Sequence, residues 1–90
     1  MQQADEKILL FNKTVGKLLK ELRNNNSKTT INKFAREYDM DRGNLSKLER
    51  GIINCRLITA WKLSEALGIK FSEFAKKLEE KLGKDFTLID

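Results

Sequence analysis

The sequence predicts an all-α domain made of five helices and a short C-terminal tail. Apolar residues recur three and four positions apart along most of the 90-residue chain, which is the period of an amphipathic helix. Glycines stand where three of these patterns stop, at Gly51, Gly68 and Gly83, and no proline interrupts any of them. The 40% apolar content supports one small core, so we expect a single domain over residues 1–83 and a tail over residues 84–90.

The first two helices are predicted over about residues 5–24 and 30–38. The polar run at residues 24–28 ends the first helix. Thr29 and Thr30 are candidate N-caps for the second helix, because a threonine oxygen can accept a hydrogen bond from a first-turn N–H group. The apolar stripe of the first helix is formed by Ile8, Phe11, Val15, Leu18 and Leu22.

The third helix is predicted over about residues 41–51, directly after a tight turn. Asp39 can adopt the left-handed backbone that a sharp turn requires, and Asp41 can N-cap the helix that follows. Leu45 and Leu48 repeat at i, i+3 and mark the inner face. The second and third helices should therefore pack on a common core.

The outer face of the third helix indicates a function. Two short helices joined by a tight turn are typical of DNA readers, in which the N-terminal half of the second of the pair enters the major groove. Arg and Lys can reach guanine there, and Asn can reach adenine. At about 100° per residue, the outward and flanking positions are Arg42, Gly43, Asn44, Ser46, Lys47 and Arg50. We expect base readout by Arg42, Asn44, Ser46 and Lys47, and phosphate contacts from Thr30, Lys33, Arg50, Asn54 and Arg56.

Glu49 is the acidic residue that this surface has to accommodate, because a free carboxylate there would repel DNA. It falls on the inner flank of the helix and should point back toward the first helix, where Arg23 is the best-placed cation. We expect Arg23 and Glu49 to form a structural ion pair.

The last two helices are predicted over about residues 57–67 and 71–82, after a loop at residues 52–56. The tail that follows has a strand-like composition, with Phe86 and Leu88 alternating with their neighbours. It could dock on its own domain, be disordered or pair with a partner chain.

Residues 15–74 resemble the lambda repressor and Cro type of helix-turn-helix domain. The resemblance lies in the order and spacing of Phe34-Ala35, Met40-Asp41, the run at 45–51 and the run at 66–69. It implies a compact five-helix domain, a recognition helix at 41–51 and the same Glu49 to Arg23 pair. Three positions depart from the family pattern: Ile31 where Gln is usual, Asp39 where Gly is usual, and Gly43 where relatives often present a base-reading side chain.

Two aromatic residues fall outside the core positions that the resemblance assigns to the fourth and fifth helices. These core positions are Ala60, Leu63, Ser64, Leu67, Ile69 and Phe74. Trp61 and Phe71 could be partly buried in the monomer or lie at a dimer contact. One recognition helix with few base-reading side chains gives little specificity, so we expect a homodimer, at least on DNA, at a two-fold repeated site. The expected contact residues are Trp61, Phe71, Phe86 and Leu88.

The net charge of +5 is unevenly distributed. Up to Arg56 there are twelve Lys and Arg against seven Asp and Glu, whereas residues 57–90 have six of each. The basic half holds the motif, which favours a nucleic-acid partner, although solvated helical faces are also often rich in lysine. No segment approaches the roughly 20 apolar residues of a membrane span, and the N-terminus is polar and acidic, so we expect a cytoplasmic protein.

Other chemistries lack the residues they need. The chain has no His and one cysteine, Cys55, so we expect no disulfide within the chain, no zinc site and no cofactor. Cys55 could be a small loop residue or a thiol that senses oxidants. Without an acid–base pair or a phosphate-binding loop the chain is not expected to be an enzyme, and without an aromatic platform RNA is disfavoured.

The sequence therefore favours a sequence-specific binder of double-stranded DNA, as a prokaryotic or phage transcriptional regulator. The alternative is an antitoxin-like module that also binds its own operator and grips a protein partner with its fifth helix and tail.

Overall fold

A computed structural model describes residues 2–27 and 30–89. Their regular structure is entirely helical, which confirms the predicted all-α fold of five helices. The helices are α1 at Gln2–Leu22, α2 at Ile31–Glu37, α3 at Arg42–Glu49, α4 at Leu57–Ala66 and α5 at Phe71–Leu82. A single π-helical segment, Arg23–Ser27, directly follows α1.

The boundaries of α1 differ from the prediction at both ends. The helix begins at Gln2 rather than near residue 5. The polar run after it does not simply end the helix, because most of it continues the helical course as the π-helical segment. Asn26 within this segment donates a hydrogen bond to the carbonyl oxygen of Leu67, 2.9 Å away, and so satisfies one of the free carbonyls at the end of α4.

Helices α2 and α3 are each N-capped by the residue directly before them. Thr30 N-caps α2, accepting a hydrogen bond from the Lys33 N–H at 3.2 Å, whereas Thr29 lies outside the described residues. Asp41 N-caps α3, accepting from the Gly43 N–H at 2.9 Å. Because Asp41 caps one end of α3 and Arg50 closes the other, α3 is shorter than the predicted 41–51.

The turn between α2 and α3 depends on Asp39. Its φ of 53° places it in the left-handed region, and among described non-glycine residues it alone has a positive φ. The Met40 N–H bonds to the Ala35 carbonyl at 2.8 Å, and the Asp39 N–H bonds to the Arg36 carbonyl at 3.4 Å. This is the Schellman pattern that usually takes glycine, and Asp supplies it here because its short polar side chain tolerates this backbone.

The core lies where α1 passes between α3 and α5, while α2 packs on α3 and α4 on α5. The inner face predicted for α3 is buried at Leu45 and Leu48, and α2 buries Phe34 and Ala35. Ser64 is fully buried, and its hydroxyl donates to the Ala60 carbonyl at 2.8 Å. The buried apolar residues are Val15, Leu18, Leu19, Leu22, Phe34, Ala35, Leu45, Leu48, Ala60, Leu63, Leu67 and Phe74.

The tail docks on its own chain. The Phe86 ring stacks on Phe11 of α1 with 6.2 Å between centroids, and Lys7 Nζ lies 3.4 Å from Thr87 Oγ1. Residues 84–89 form no strand, because the described part of the fold offers no strand edge for them to pair with. None of the helices described is both long enough and apolar enough to cross a bilayer.

Candidate nucleic-acid interface

The outward face of α3 carries three polar side chains that the fold leaves unused. Arg42, Asn44 and Lys47 are exposed, and their side chains form no hydrogen bond or ion pair within the described residues. Ser46 is half-buried, so it is less available than the other residues predicted to read bases. Gly43 contributes no side chain at an outward position, and Arg42 and Asn44 lie on opposite flanks of it. The structure therefore leaves an arginine, an asparagine and a lysine of α3 exposed to solvent.

The structure also places Glu49 on Arg23, as the sequence suggests. Arg23 Nε lies 2.7 Å from Glu49 Oε2, and Arg23 Nη2 lies 2.9 Å from Glu49 Oε1. The two side chains are only 9% and 7% exposed. The hydrogen bonding of the Arg23 guanidinium to the Glu49 carboxylate raises the pKa of Arg23, so the guanidinium stays charged. This two-pronged geometry holds the carboxylate away from the outer face of α3.

Gly16 allows α1 and α3 to approach more closely than side chains would permit. A methyl group there would overlap the carbonyl oxygens of Leu48 and Glu49. Gly51, with a φ of 73°, similarly packs against the backbone of Lys13. The sequence contains no signal for the Gly16 contact, because a single glycine in a helical pattern predicts only a small loss of helix propensity.

Residues predicted to contact phosphates flank α3 at two places. Thr30 and Lys33 lie at the start of α2, where both are exposed. Along the side of α3, an open groove of about 530 Å³ is lined by Asn44 together with Asn54 and Arg56 of the loop that follows the helix. Lys62 of α4 lines the same groove, together with Asp39 and Asp41, and was not predicted. Its sequence context does not distinguish it from a lysine on a solvated helical face.

Cys55 lies in the loop between α3 and α4 and is half-buried. Burial raises the pKa of its thiol, and its Sγ donates weakly to the Arg56 carbonyl at 3.6 Å. A thiol held protonated is a poor nucleophile, which supports the interpretation as a small loop residue. Within the described residues, no three side chains of the metal-ligating types come together.

The residues predicted at a dimer contact fall at two separate places. Trp61 and Phe71 stack on each other at 5.2 Å, and the Trp61 Nε1 group donates to Glu65 Oε2 at 3.1 Å. Leu57, Ile58 and Trp61 together form an exposed apolar face of α4, which we call the α4 face. Phe86 is half-buried on Phe11, and Leu88 is exposed beside it on the tail.

Comparison with known proteins agrees with this geometry. The helix-turn-helix family model matches residues 19–74, a range that includes α2, the turn and all of α3. A curated relative, control protein C.MunI from a Mycoplasma species, is 35% identical over 65 residues. That match covers 72% of this chain and 88% of the relative.

Proposed function

Because the chain belongs to the helix-turn-helix family of DNA-binding transcriptional regulators, we propose that it recognises a specific duplex sequence with the N-terminal half of α3 in the major groove. The observation that carries the proposal is the set of unpaired polar side chains on the outer face of α3. The name of the relative, a control protein, supports a role in regulation.

Base readout rests on three residues in this proposal. Arg42 and Lys47 have the donors that guanine O6 and N7 require, and the Asn44 amide matches adenine N6 and N7. Gly43 contributes no side chain and Ser46 is half-buried, so the readout is narrow. A narrow readout makes each of the three residues important for specificity.

Phosphate contacts come from both sides of α3. Thr30 and Lys33 at the start of α2 contact one DNA strand in this proposal. The Thr30 hydroxyl can still donate to a phosphate, because capping the helix uses only its oxygen as an acceptor. Arg50 and the groove residues Asn54 and Arg56 face the other strand. Lys62 adds a further cation to that groove. These contacts position α3 without reading sequence.

The first test is selection of bound duplexes from a random library, followed by affinity measurements on the selected site and on random DNA. Lys47→Ala or Arg42→Ala should lose about 1 to 3 kcal/mol on the selected site only. Arg50→Ala should weaken both duplexes and reduce the salt slope by about one charge. Lys76→Ala, an exposed lysine of α5, is the matched control and should change neither. Equal losses of affinity on both duplexes would show that Lys47 and Arg42 contact phosphates rather than bases. If the selection enriches no duplex, specific recognition is rejected.

We further propose that the chain binds as a homodimer on a two-fold repeated site, with the α4 face as the main contact. A single short α3 with three base-reading side chains gives little specificity, and a second half-site about one helical turn away doubles it. The α4 face supports this arrangement because three large apolar side chains stand exposed on one helix. Phe86 contributes less, since its ring already packs within its own chain.

Two isoleucines allow a matched test of the contact. Ile58 on the α4 face is 73% exposed and Ile89 on the tail is 83% exposed. Ile58→Asp should produce a monomer in sedimentation and reduce cooperativity on the selected site, whereas Ile89→Asp should change neither. The reverse result would move the contact to the tail, and cooperative binding by both variants would reject both surfaces.

An antitoxin-like module that also binds its own operator is the second candidate. An open groove of about 640 Å³ between α5 and the tail, with Phe11, Leu82 and Leu88 in its lining, favours it. Under this alternative, Leu88→Asp abolishes binding of a co-encoded protein partner and leaves DNA binding intact. If the genes next to the one that encodes this chain specify no such partner, this candidate is rejected.

A further inference from the structure

We propose that Asn12, a buried residue of α1, positions Asn54 so that the amide nitrogen of Asn54 donates to a DNA phosphate. Asn12 is only 9% exposed, and its Nδ2 lies 2.7 Å from Asn54 Oδ1. Asn54 is an exposed residue of the loop between α3 and α4. The contact therefore joins α1, which packs against α3, to the loop that meets DNA in the proposed function. This inference rests on the proposed function.

The direction of this hydrogen bond decides what Asn54 presents to solvent. A primary amide has an oxygen that only accepts and a nitrogen that donates two hydrogen bonds. Because Asn12 donates to the Asn54 oxygen, that oxygen is held toward α1 and the Asn54 NH₂ group is left for an outside partner. A phosphate oxygen can only accept, so this orientation suits DNA and the flipped orientation would repel it.

The location of Asn54 fits a backbone contact. It lines one groove together with Asn44 at the start of α3 and Arg56 at the end of the loop. The loop residues around it, 52–56, form no helix or strand that would restrict the side chain. A bond to a buried amide restricts it before DNA arrives, which reduces the entropy lost on binding.

A purely structural role for Asn12 predicts different behaviour. A buried amide needs a partner because an unbonded one is costly, and Asn54 meets that need whether or not DNA is bound. If that were the whole role, changing Asn12 would lower stability and would leave the affinity of the folded protein unchanged. Positioning instead makes the effect of Asn12 on DNA affinity depend on the presence of Asn54.

The experiment is a double-mutant cycle on DNA affinity, using the full chain with the selected duplex and with random duplex. Asn12→Ala should weaken both duplexes about two- to ten-fold, the range expected when one side chain loses its prior ordering. The same change in an Asn54→Ala background should have no effect. Thermal melts of each variant are recorded so that affinities are compared only below the onset of unfolding.

Two isosteric variants test the orientation directly. Asn54→Asp keeps the oxygen that accepts from Asn12 but replaces the outward donor with an acceptor, so it should bind more weakly than Asn54→Ala. In Asn12→Asp, the ionised carboxylate has no donor and can only accept a hydrogen bond, so the Asn54 nitrogen should turn inward toward it. This variant should therefore bind DNA more weakly than Asn12→Ala. Asn54 is exposed, so its variants should fold even if those at Asn12 do not.

The outcomes separate this inference from the function on which it rests. Equal losses from Asn12→Ala with and without Asn54, or full affinity in Asn54→Ala, would overturn the positioning role. If either outcome is found while Lys47→Ala still loses affinity for the selected site, only the positioning role of Asn12 has failed and the proposed function stands. If no duplex is selected at all, the proposed function itself has failed.

Discussion

Helix α1 is held by α3 on one side and by α5 on the other, and the two contacts are built differently. Toward α3, Arg23 of the π-helical segment that continues α1 forms a buried ion pair with two hydrogen bonds, and Gly16 of α1 brings the backbones together. Toward α5, the ion pair between Lys81 and Glu21 spans 3.0 Å, but its side chains are 34% and 49% exposed. The contact that places α3 is directional and shielded from solvent, whereas the ion pair on the α5 side is open to solvent.

The difference has a physical basis in desolvation. Charges removed from water interact strongly with each other, but each is costly if its partner is lost. An exposed pair interacts through water and salt, and most such pairs contribute less than about 1 kcal/mol. A directional contact also fixes the position of α3 relative to α1, which a general apolar contact does not. Variants on the two sides should therefore differ in size of effect, in salt dependence and in their effect on DNA binding.

The largest effect should come from Glu49→Ala. The change removes the carboxylate that accepts two hydrogen bonds from the charged, nearly buried Arg23, so the free energy of unfolding should fall by about 3 to 5 kcal/mol. Small domains have only about 5 to 15 kcal/mol in total, so the melting temperature should fall clearly. Denaturant unfolding at low and high salt measures the loss, which should be similar in both because the pair is shielded from solvent ions.

A double variant provides the control for this prediction. Arg23→Met with Glu49→Leu removes both charges and should be more stable than Glu49→Ala, since neither charge then remains buried at this contact. An unchanged melt combined with weaker DNA binding in Glu49→Ala would assign Glu49 to the interface and break the comparison.

Gly16→Ala should have the next largest effect. The added methyl group meets the Leu48 and Glu49 carbonyls, and relieving that overlap should cost about 1 to 3 kcal/mol and displace α3. Gly43→Ala is the matched control, because a Cβ there meets only Asp41 Oδ1 at 3.4 Å. The control should be neutral or stabilising by up to about 1 kcal/mol through helix propensity. If Gly16→Ala melts like the parent protein, the close approach of α1 to α3 is not a constraint.

The same two sides of α1 show how far sequence reasoning reaches. The Arg23 to Glu49 pair could be predicted because Glu49 lies on the inner flank of a helix whose period is visible in Leu45 and Leu48. The left-handed Asp39 could also be predicted, since few residues suit that turn. These features follow from local periodicity and backbone preference.

Other features depend on which distant segments meet, and the sequence carries little signal for that. Gly16 looks like a weak helix former until Leu48 and Glu49 are placed against it. The tail looks strand-like, yet Phe86 packs on Phe11 because the fold offers an apolar surface there. The bond from Asn12 to Asn54 joins residues 42 positions apart and has no local signature.

On the α5 side, Phe86→Ala should have an intermediate effect. Removing a half-buried ring that stacks on Phe11 should lower the free energy of unfolding by about 1 to 2 kcal/mol, less than for a fully buried aromatic residue. DNA affinity of the folded protein should not change, because the tail lies away from α3. Leu88→Ala, at an exposed position of the same tail, should change stability by less than about 0.5 kcal/mol. A loss of DNA affinity in Phe86→Ala would link the tail to α3 or to assembly on DNA.

The smallest effect should come from Glu21→Gln, which removes the exposed pair with Lys81 and keeps the size of the side chain. Ordering two long, partly solvated side chains offsets most of their attraction, so the change in the free energy of unfolding should stay below about 0.5 kcal/mol at low salt. It should vanish at about 1 M salt, where the screening length falls to about 3 Å. Glu80→Gln, an exposed glutamate of α5 with no ion pair to lysine or arginine in the described chain, controls for the change in net charge. A loss in Glu21→Gln as large as that in Glu49→Ala would show that α1 is held equally firmly on both sides, and that burial does not distinguish the two ion pairs.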